Sequence, residues 1–267
     1  MIEQLSSLQN SIVKDVAKLA EKKHRLFTGL FIVEGHKLLK ELYDSDWHIE
    51  KILISKTARE GISDSFIQQL SSRASVYLVT EEIISKITDA QTAQGVVAVV
   101  KMRDYKLCDL PSKLDKILCL DDVRDPGNVG TLIRTAVATG ADAVVLLGNC
   151  VDIYSPKVVR ACMGAMLRVP IVSLTIEQLT DVFETRKINS FAAILDKNAQ
   201  DLFSYSFTKP VAVVLGNESH GISKEVLNIC TNKVFIPQIG NIESLNVAVA
   251  GSVILYEILR QTGRNIE

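Results

Sequence analysis

The sequence predicts an α/β protein of two domains, with a mainly parallel sheet in the second. The chain has 267 residues, which is long for one hydrophobic core and natural for two. Hydrophobic residues make up 47% of it and charged residues 23%, as in ordinary soluble α/β proteins. Short apolar runs alternate with helical patterns through the second half, and this alternation is typical of a parallel sheet covered on both faces.

The first hundred residues predict a small α/β domain. Apolar spacing predicts helices over 10–25, 36–42, 63–72 and 80–89, and apolar runs predict strands at 30–33, 49–55, 75–79 and 95–101. The stretch that follows contains Pro111 and mixed charge, as linkers do. We therefore predict an N-terminal domain over 1–103, a linker over 104–114 and a second domain over 115–267.

The second domain is predicted to alternate strands with helices. The strands are expected at 116–121, 143–147, 169–173, 190–195, 211–215 and 233–236, and the helices at 128–140, 156–163, 175–186, 223–230 and 246–262. Two of these strands end in polar loops, which occupy 216–221 and 237–243. Because the carboxyl ends of parallel strands share one edge of a sheet, these loops predict a ligand site there.

The overall charge gives no sign of a polyanionic partner. The formal net charge is −1, so binding to nucleic acid would need a local basic patch. The best candidate patch is Lys14, Lys18, Lys22, Lys23, His24 and Arg25. Helical spacing would put Lys14, Lys18 and Lys22 on one face. A solvated helix face without a ligand explains the same pattern equally well.

Several classes of protein lose support from what the sequence lacks. The five cysteines are odd in number and widely spaced, so neither a disulfide framework nor a zinc or other metal site is expected. Residues 1–4 do not resemble the start of a signal peptide, and no apolar run has membrane-spanning length. We expect a cytoplasmic protein with reduced thiols. Neither GxGxxG nor a Walker A loop occurs, which argues against the common nucleotide-binding folds.

Polar residues that could carry chemistry lie near three predicted helix starts. Asn128 could cap the helix over 128–140, and Arg134 would face the same side as the preceding loop. On spacing alone, an ordinary surface arginine is the preferred interpretation. Glu218 could belong to a site or could cap the next helix. Lys157 and Arg160, on a helix opened by a Ser-Pro pair, are candidate phosphate contacts on a mainly structural helix.

Three segments, in order and spacing, together resemble the SpoU/TrmH branch of the SPOUT methyltransferases. They are Asn128-x-Gly130-x-x-x-Arg134-x-Ala136, then Val214-Leu215-Gly216-Asn217-Glu218-x-x-Gly221, then Ile236-Pro237 with Ser244-Leu245-Asn246-Val247-Ala248. The segment at 29–35, GLFIVEG, looks like the opening of the RNA substrate-binding domain often attached to this family. That domain is similar to a small ribosomal-protein-type α/β fold, so the resemblance covers nearly the whole chain.

The resemblance implies an activity, a topology and a site. Members transfer the methyl group of S-adenosylmethionine to a ribose 2′-hydroxyl in structured RNA. Their C-terminal segment is threaded into a deep trefoil knot, which forms the cofactor pocket, and they dimerise through the catalytic domain. By position, the pocket would be lined by Leu215, Gly216, Ile236, Pro237, Leu245 and Asn246. The catalytic set would be Asn128, Arg134, Glu218, Ser244 and Asn246, with Arg134 reaching the site of the dimer partner.

The role of Arg134 stays open at this stage. The family is often described with this arginine as the base that receives the 2′-proton. Guanidinium groups normally stay protonated in proteins, however, and they bind phosphate in a bidentate manner. Arg134 could therefore orient a phosphate oxygen that accepts the proton. The sequence is compatible with both roles.

The substrate also stays open. The appended domain resembles those of relatives that modify ribosomal RNA, which favours RNA of the 23S type over transfer RNA. A resistance methyltransferase acting on ribosomal RNA would look the same. A non-catalytic RNA-binding or ribosome-assembly protein that kept the fold is the main alternative, although the complete polar set favours an enzyme. An unrelated nucleotide-binding α/β enzyme is a remote alternative.

Overall fold

A computed structural model describes residues 2–88, 93–240 and 244–263 of the chain. Its strands are β1 (Glu3–Leu5), β2 (Leu30–Glu34), β3 (Ile49–Ser55), β4 (Ser75–Val79), β5 (Val96–Lys101), β6 (Lys116–Asp121), β7 (Ala143–Leu147), β8 (Ile171–Ser173), β9 (Asn189–Ala193), β10 (Gln200–Asp201), β11 (Val211–Leu215) and β12 (Asn232–Phe235). Its helices are α1 (Ser11–Lys18), α2 (Lys22–Thr28), α3 (His36–Tyr43), α4 (Lys56–Glu60), α5 (Asp64–Ser71), α6 (Glu81–Thr88), α7 (Pro126–Ala138), α8 (Pro156–Cys162), α9 (Ile176–Thr185), α10 (Lys224–Ile229) and α11 (Val247–Thr262). Within these described ranges, no helix combines the length and apolar character needed to cross a membrane.

The chain divides into two compact units. Unit 1 comprises Met1–Arg103 with Asp152–Leu167, and unit 2 comprises Asp104–Val151 with Arg168–Glu267. The predicted second domain included 152–167, whereas α8 packs beside β2 within unit 1. The predicted linker over 104–114 is also not an open connection. Leu110 and Leu114 are buried in the core of unit 2, because both are large apolar side chains beside β6.

Unit 1 contains a mixed five-stranded sheet in the order β1-β4-β3-β5-β2. Strands β1, β4 and β3 run parallel, and β5 is antiparallel to both β3 and β2. The strands predicted between 30 and 101 are all confirmed, as are the helices over 36–42 and 63–72. The helix predicted over 80–89 is α6, with residue 89 outside the described residues. Strand β1 and helix α4 are too short to give a periodic signal.

The helix predicted over 10–25 is wrong as a single element. Helix α1 ends at Lys18, Glu21 is extended at φ −87° and ψ 128°, and α2 begins after it. The Arg25 side chain is 3% exposed, and its Nη1 donates to the carbonyl oxygens of Leu19 and Ala20 at 2.7 Å each. These bonds satisfy carbonyl groups that a continuous helix would have used internally.

The break in this helix also corrects two predictions about the basic patch. Lys22 lies on α2, so Lys14, Lys18 and Lys22 do not share one helical face. Arg25 is not available to RNA. Its Nη2 pairs with Asp152 Oδ2 at 2.7 Å inside unit 1, so it is a buried structural arginine.

Unit 2 contains a seven-stranded sheet in the order β10-β12-β9-β11-β6-β7-β8, and every pairing in it is parallel. The predicted parallel sheet is confirmed. Strand β11 lies between β6 and β9, and its five residues are all buried. Such a strand reads as one continuous apolar run because both faces are covered. The carboxyl ends of β6, β9 and β11 therefore open at one edge of the sheet.

Helix α11 packs very closely against α7 and β11. A Cβ atom at Gly251 would lie 2.4 Å from Leu132 Cδ2 and 2.4 Å from Leu215 Cδ1, so any side chain there would have to displace these two buried leucines. One residue further along α11, Ser252 Oγ is 3.0 Å from Thr135 Oγ1 on α7. The close packing fixes the start of α11 relative to the end of β11.

We expect Gly251→Ala to destabilise the protein by about 1–3 kcal/mol, because the added methyl group overpacks the contact with Leu132 and Leu215. The sign of this change in the free energy of unfolding is informative, because alanine is otherwise favoured over glycine in a helix by about 1 kcal/mol. Urea unfolding would measure the change. Gly240→Ala is the matched control, because a Cβ at Gly240 meets nothing within 4 Å. Equal stability of Gly251→Ala and the wild type would contradict the close packing.

Candidate active site

A cavity of about 520 Å³ opens where the strands of unit 2 end. Its volume is in the range of small-molecule sites. The lining comes from the end of β9, the loop after β11, the end of β12 and the start of α11; it includes Ala193, Leu195, Leu215, Gly216, Glu218, Val234, Ile236, Gln238, Ser244, Leu245, Asn246 and Ile254. The cavity is therefore built at the sheet edge where the sequence predicted a ligand site.

The loop after β11 is a closed and tightly fixed structure. The N–H groups of Asn217 and Gly221 each donate to the other residue's carbonyl at 2.9 Å. A Cβ at Gly216 would lie 2.2 Å from the backbone of Gly221 and of Ile222, so no other residue fits. The Asn217 Nδ2 donates to the carbonyl of Asp122 at 2.9 Å, which ties the loop to the end of β6. The cavity wall here is backbone, held in place from both sides.

Three polar side chains form a hydrogen-bonded chain at the edge of this cavity. Asn246 Nδ2 donates to Asn128 Oδ1 at 2.9 Å, and Asn128 Nδ2 donates to Glu218 Oε1 at 3.0 Å. They come from the start of α11, the first turn of α7 and the loop after β11. The structure thus brings together three of the five predicted catalytic residues.

The Asn246 end of this chain is fixed by a helix cap. Asn246 Oδ1 accepts from the N–H groups of Ala248 and Val249 at 2.9 and 3.2 Å, which makes Asn246 the N-cap of α11. The prediction that Asn128 caps its helix is wrong. Helix α7 begins earlier, at Pro126, and Asp125 is its N-cap. The Asn128 side chain is consequently free to bridge the other two residues.

Glu218 is held as a carboxylate anion. Burial favours the neutral form, but the hydrogen bonds from the Asn128 side chain and from the backbone N–H groups of Asp125 and Arg124 outweigh it and lower the pKa of Glu218 below its ordinary value. Both oxygens of the Glu218 carboxylate already accept hydrogen bonds from the chain itself. The geometry of Glu218 indicates that it orients Asn128, and it does not cap α10, whose N-cap is Ser223.

The predicted cofactor residues fall mostly on the cavity. Leu215, Gly216, Ile236, Leu245 and Asn246 line it, together with the predicted catalytic residue Ser244. Pro237 is not among the lining residues. Residues 241–243, which the predicted loop included, lie outside the described residues.

Arg134 is not part of the cavity wall in a single chain. Its side chain is exposed on α7, and among the described residues no hydrogen bond or ion pair engages it. The structure therefore separates Arg134 from the Glu218–Asn128–Asn246 chain. An exposed guanidinium at the surface of α7 remains available to a ligand from outside the chain.

The other predicted RNA contacts differ in availability. Lys14, Lys22, Lys23 and Lys157 are exposed, and no described residue forms an ion pair with any of them. Lys18 lies 3.8 Å from Asp15. Arg160 is exposed, but its Nη1 already donates to the carbonyl of Thr88 at 3.0 Å.

Some residues of the site were missed by the sequence analysis. Ala193 to Leu195, after β9, line the cavity, as do Gln238 and Ile254. The predicted strand over 190–195 carried a usable signal, because its end must lie at the same sheet edge as that of β11. Finding it required the strand order, which places β9 directly beside β11. No group of His, Cys, Asp and Glu suited to a metal ion occurs within residues 2–88, 93–240 and 244–263.

Comparisons with known proteins give matches to both parts of the chain. A family model described as the SpoU rRNA Methylase family matches residues 115–256, and one described as the MRM3-like substrate binding domain matches residues 10–98. The chain is 31% identical to a 23S rRNA (guanosine(2553)-2′-O)-methyltransferase of Bacillus subtilis, over 96% of this chain and 99% of the relative. It is 30% identical to a 23S rRNA (uridine(2479)-2′-O)-methyltransferase of Streptomyces viridochromogenes, over 92% and 88%.

Solved structures are similar along almost the whole chain. An AdoMet-bound rRNA methyltransferase from Sinorhizobium meliloti is 34% identical with a TM-score of 0.87, covering 97% of this chain and 98% of that one. The SpoU methyltransferase AviRb from Streptomyces viridochromogenes, in complex with AdoMet, is 27% identical with a TM-score of 0.84, covering 95% and 98%.

The Asn128–Glu218 hydrogen bond predicts a measurable titration. We expect the carboxyl of Glu218 to titrate below its ordinary pKa of 4.5 in the wild type and closer to that value in Asn128→Ala. A lowered folded-state pKa means that this carboxylate stabilises the fold above pH 4.5 and that the contribution is lost as the pH falls through the lowered value. Carbon NMR of the side-chain carboxyl would follow the titration. Thr131 is exposed one turn further along α7, and Thr131→Ala should leave the pKa of Glu218 unchanged. If Asn128→Ala also leaves this pKa unchanged, the role of the hydrogen bond is refuted.

Proposed function

The chain belongs to the SpoU rRNA methylase family, and on this premise we propose that it methylates a ribose 2′-hydroxyl in ribosomal RNA of the 23S type, using S-adenosylmethionine. The observation that carries the proposal is the cavity at the ends of β9, β11 and β12, with the Glu218–Asn128–Asn246 chain on its edge. The relatives named for this reaction span nearly the full chain.

The cavity suits the cofactor. Leu215, Leu245 and Ile254 supply apolar surface for the adenosine, while the backbone at Gly216 and Ile236 offers N–H and C=O groups to the adenine edge. Gly216 is the residue that lets the loop after β11 close on Gly221 and Ile222, which keeps this backbone wall of the cavity in place. When bound, S-adenosylmethionine supplies an electrophilic methyl group on its sulfonium centre. The residues of the chain then have to position the 2′-oxygen in line and to deal with its proton.

Asn128 and Asn246 have fixed orientations toward the reacting region. Glu218 accepts from Asn128 Nδ2, so the amide oxygen of Asn128, and not its nitrogen, faces Asn246. Asn246 is held in turn by the N-terminus of α11. We infer that this chain positions the ribose and the cofactor relative to each other. The carboxylate of Glu218 acts through the two asparagines and does not take the proton.

Arg134 binds the RNA phosphate next to the target ribose in this mechanism. A guanidinium stays protonated in proteins, so it grips the phosphate in a bidentate manner and orients one of its oxygens toward the 2′-hydroxyl. The phosphate oxygen held in this way would be placed to accept the 2′-proton when bound S-adenosylmethionine supplies its methyl group to O2′. Arg134 neither lines the cavity nor is engaged by a described residue of its own chain, which supports delivery from a second copy.

A homodimer through unit 2 accords with the surface of α11. Val249 and Tyr256 are 51% and 53% exposed on this helix, and apolar area of this kind is suited to a contact between two copies. The family's trefoil knot is likewise part of the proposal. After β12, α11 returns to pack against α7 and β11, with Gly251 at the contact. This return of the chain to earlier elements is what threading into a knot requires.

Unit 1 is proposed to select the RNA. It contains the segment that matches a substrate-binding domain, and its exposed Lys14, Lys22, Lys23 and Lys157 can neutralise phosphates. Arg160 is a weaker contact because Thr88 already occupies one of its nitrogens. We also propose a cytoplasmic location, because a ribosomal RNA substrate would be met there.

The proposed function is tested by transfer of tritium from labelled S-adenosylmethionine to RNA of a strain that lacks this protein. We expect label in the ribosomal fraction, resistant to alkali at one dinucleotide, because 2′-O-methylation blocks cleavage there. Label only in the transfer RNA fraction would overturn the proposed ribosomal RNA substrate and keep the proposed chemistry. Absence of label in both, with no cofactor binding by calorimetry, would instead leave an RNA-binding protein that only retains the fold.

Arg134→Ala should reduce methyl transfer at saturating RNA by about 100-fold or more, because an effect on positioning and on transition-state charge has this size. Binding of S-adenosylmethionine, measured by calorimetry, should stay unchanged, since Arg134 is absent from the cavity lining. Lys113→Ala is the control, an exposed cation that pairs with Asp115 ahead of β6 and does not line the cavity. Activity retained in Arg134→Ala would exclude the role assigned to it.

A further inference from the structure

Helix α2 displays two large apolar side chains to solvent. Phe27 is 87% exposed and Leu26 is 63% exposed, and Arg25 is the buried residue of this helix. A scattered exposed leucine is ordinary on a protein surface, but an almost fully exposed phenylalanine beside a second apolar residue indicates a surface used for binding.

The position of Phe27 is fixed despite its exposure. A helix of seven residues is not stable alone, so its anchors decide whether it forms. On one side of Phe27, Arg25 is bonded to Leu19, Ala20 and Asp152 as described above. On the other side, Gly29 turns at φ +67° and its carbonyl accepts from the N–H of Met102 at 2.7 Å. The backbone that carries the ring is therefore fixed, and only the two side-chain torsions of Phe27 remain to be ordered on binding.

The charges around Phe27 indicate what it binds. Lys22 and Lys23 are exposed on the same short helix, and no ion pair within the described ranges engages either of them. No acidic residue lies in the first turn of α2. An aromatic ring next to free lysines is the arrangement with which proteins hold single-stranded nucleic acid, by base stacking and phosphate neutralisation.

We propose that Phe27 stacks on an unpaired base of the substrate RNA while Lys22 and Lys23 contact neighbouring phosphates. This proposal rests on the proposed function for the identity of the RNA. It assigns to unit 1 a recognition residue that acts on a loop or bulge, because bases in a regular RNA helix are already stacked. Leu26 adds apolar area beside the ring.

A direct test uses Phe27→Trp. The single native tryptophan, Trp47, is 5% exposed and gives a constant background. We expect titration with oligouridylate, whose bases are not stacked on one another, to quench the emission of the new tryptophan, because a stacked base quenches indole. Unchanged emission on addition of saturating oligonucleotide would overturn the proposal.

A second test separates stacking from simple apolar contact. With unmodified 23S rRNA transcript in filter binding, Phe27→Ala and Phe27→Leu should both weaken affinity by about 5- to 150-fold, whereas Phe27→Tyr should retain it. Phe203→Ala is the matched control, because Phe203 is also exposed, at 56%, but lies in unit 2. Wild-type affinity in Phe27→Leu would overturn the proposal. So would a change of oligomeric state in Phe27→Ala, measured by sedimentation, because the patch would then be a protein interface.

Kinetics distinguish this proposal from the proposed function. Phe27→Ala should raise KM for RNA and leave kcat at saturating RNA unchanged, because the ring contributes binding and not chemistry. If the wild type is active and Phe27→Ala has the same KM for RNA, the stacking role is refuted and the proposed function is kept. The opposite result is also possible. If the wild type transfers no methyl group but RNA quenches the emission of the Phe27→Trp variant, the proposed function is refuted and the stacking role is kept.

Discussion

The close approach of α11 to α7 and β11 at Gly251 is the constraint on which the site depends. Side chains of Leu132 and Leu215 occupy the space that a Cβ would need, so α11 contacts both α7 and β11 at this glycine. Asn246 begins α11 and Asn128 lies in the first turn of α7. Their hydrogen bond at 2.9 Å therefore requires the same packing that fills the core. Stability and site geometry are here properties of one contact.

The loop after β11 adds a second constraint, which is made of backbone. The mutual bonds of Asn217 and Gly221 close the loop, and Asn217 fixes it to Asp122. The N–H of Ser223 donates to Asp121 Oδ2 at 2.7 Å, so the chain is tied to the end of β6 again as it leaves the loop. Glu218 is thereby held where Asn128 can reach it. A cavity wall built in this way is formed before the ligand arrives. Ligand binding therefore loses little free energy to ordering of this loop.

Sequence reasoning reached most of the fold because buried parallel strands give continuous apolar runs, as in β6, β7 and β11. It failed where the deciding contact is distant in sequence. Arg25 reads as one of a run of basic surface residues, yet Asp152, 127 positions away, makes it a buried residue. Asn128 reads as a helix cap, because the competing cap at Asp125 and the partners at 218 and 246 are visible only in three dimensions. Strand order, which places β9 at the cavity, also depends on such contacts.

The two sides of the proposed site are held in different ways, and this difference has a consequence for specificity. The cofactor side consists of fixed backbone and of two asparagines held by hydrogen bonds. The RNA side consists of exposed side chains, of which Arg134 is the one nearest to the chemistry in the proposed mechanism. Ordering a free arginine costs up to about 2 kcal/mol of side-chain entropy, and no residue described in its own chain offsets that cost. The RNA phosphate must do so. An RNA that binds unit 1 but does not place a phosphate against Arg134 leaves the site incomplete, so recognition of the substrate and completion of the catalytic set become one event.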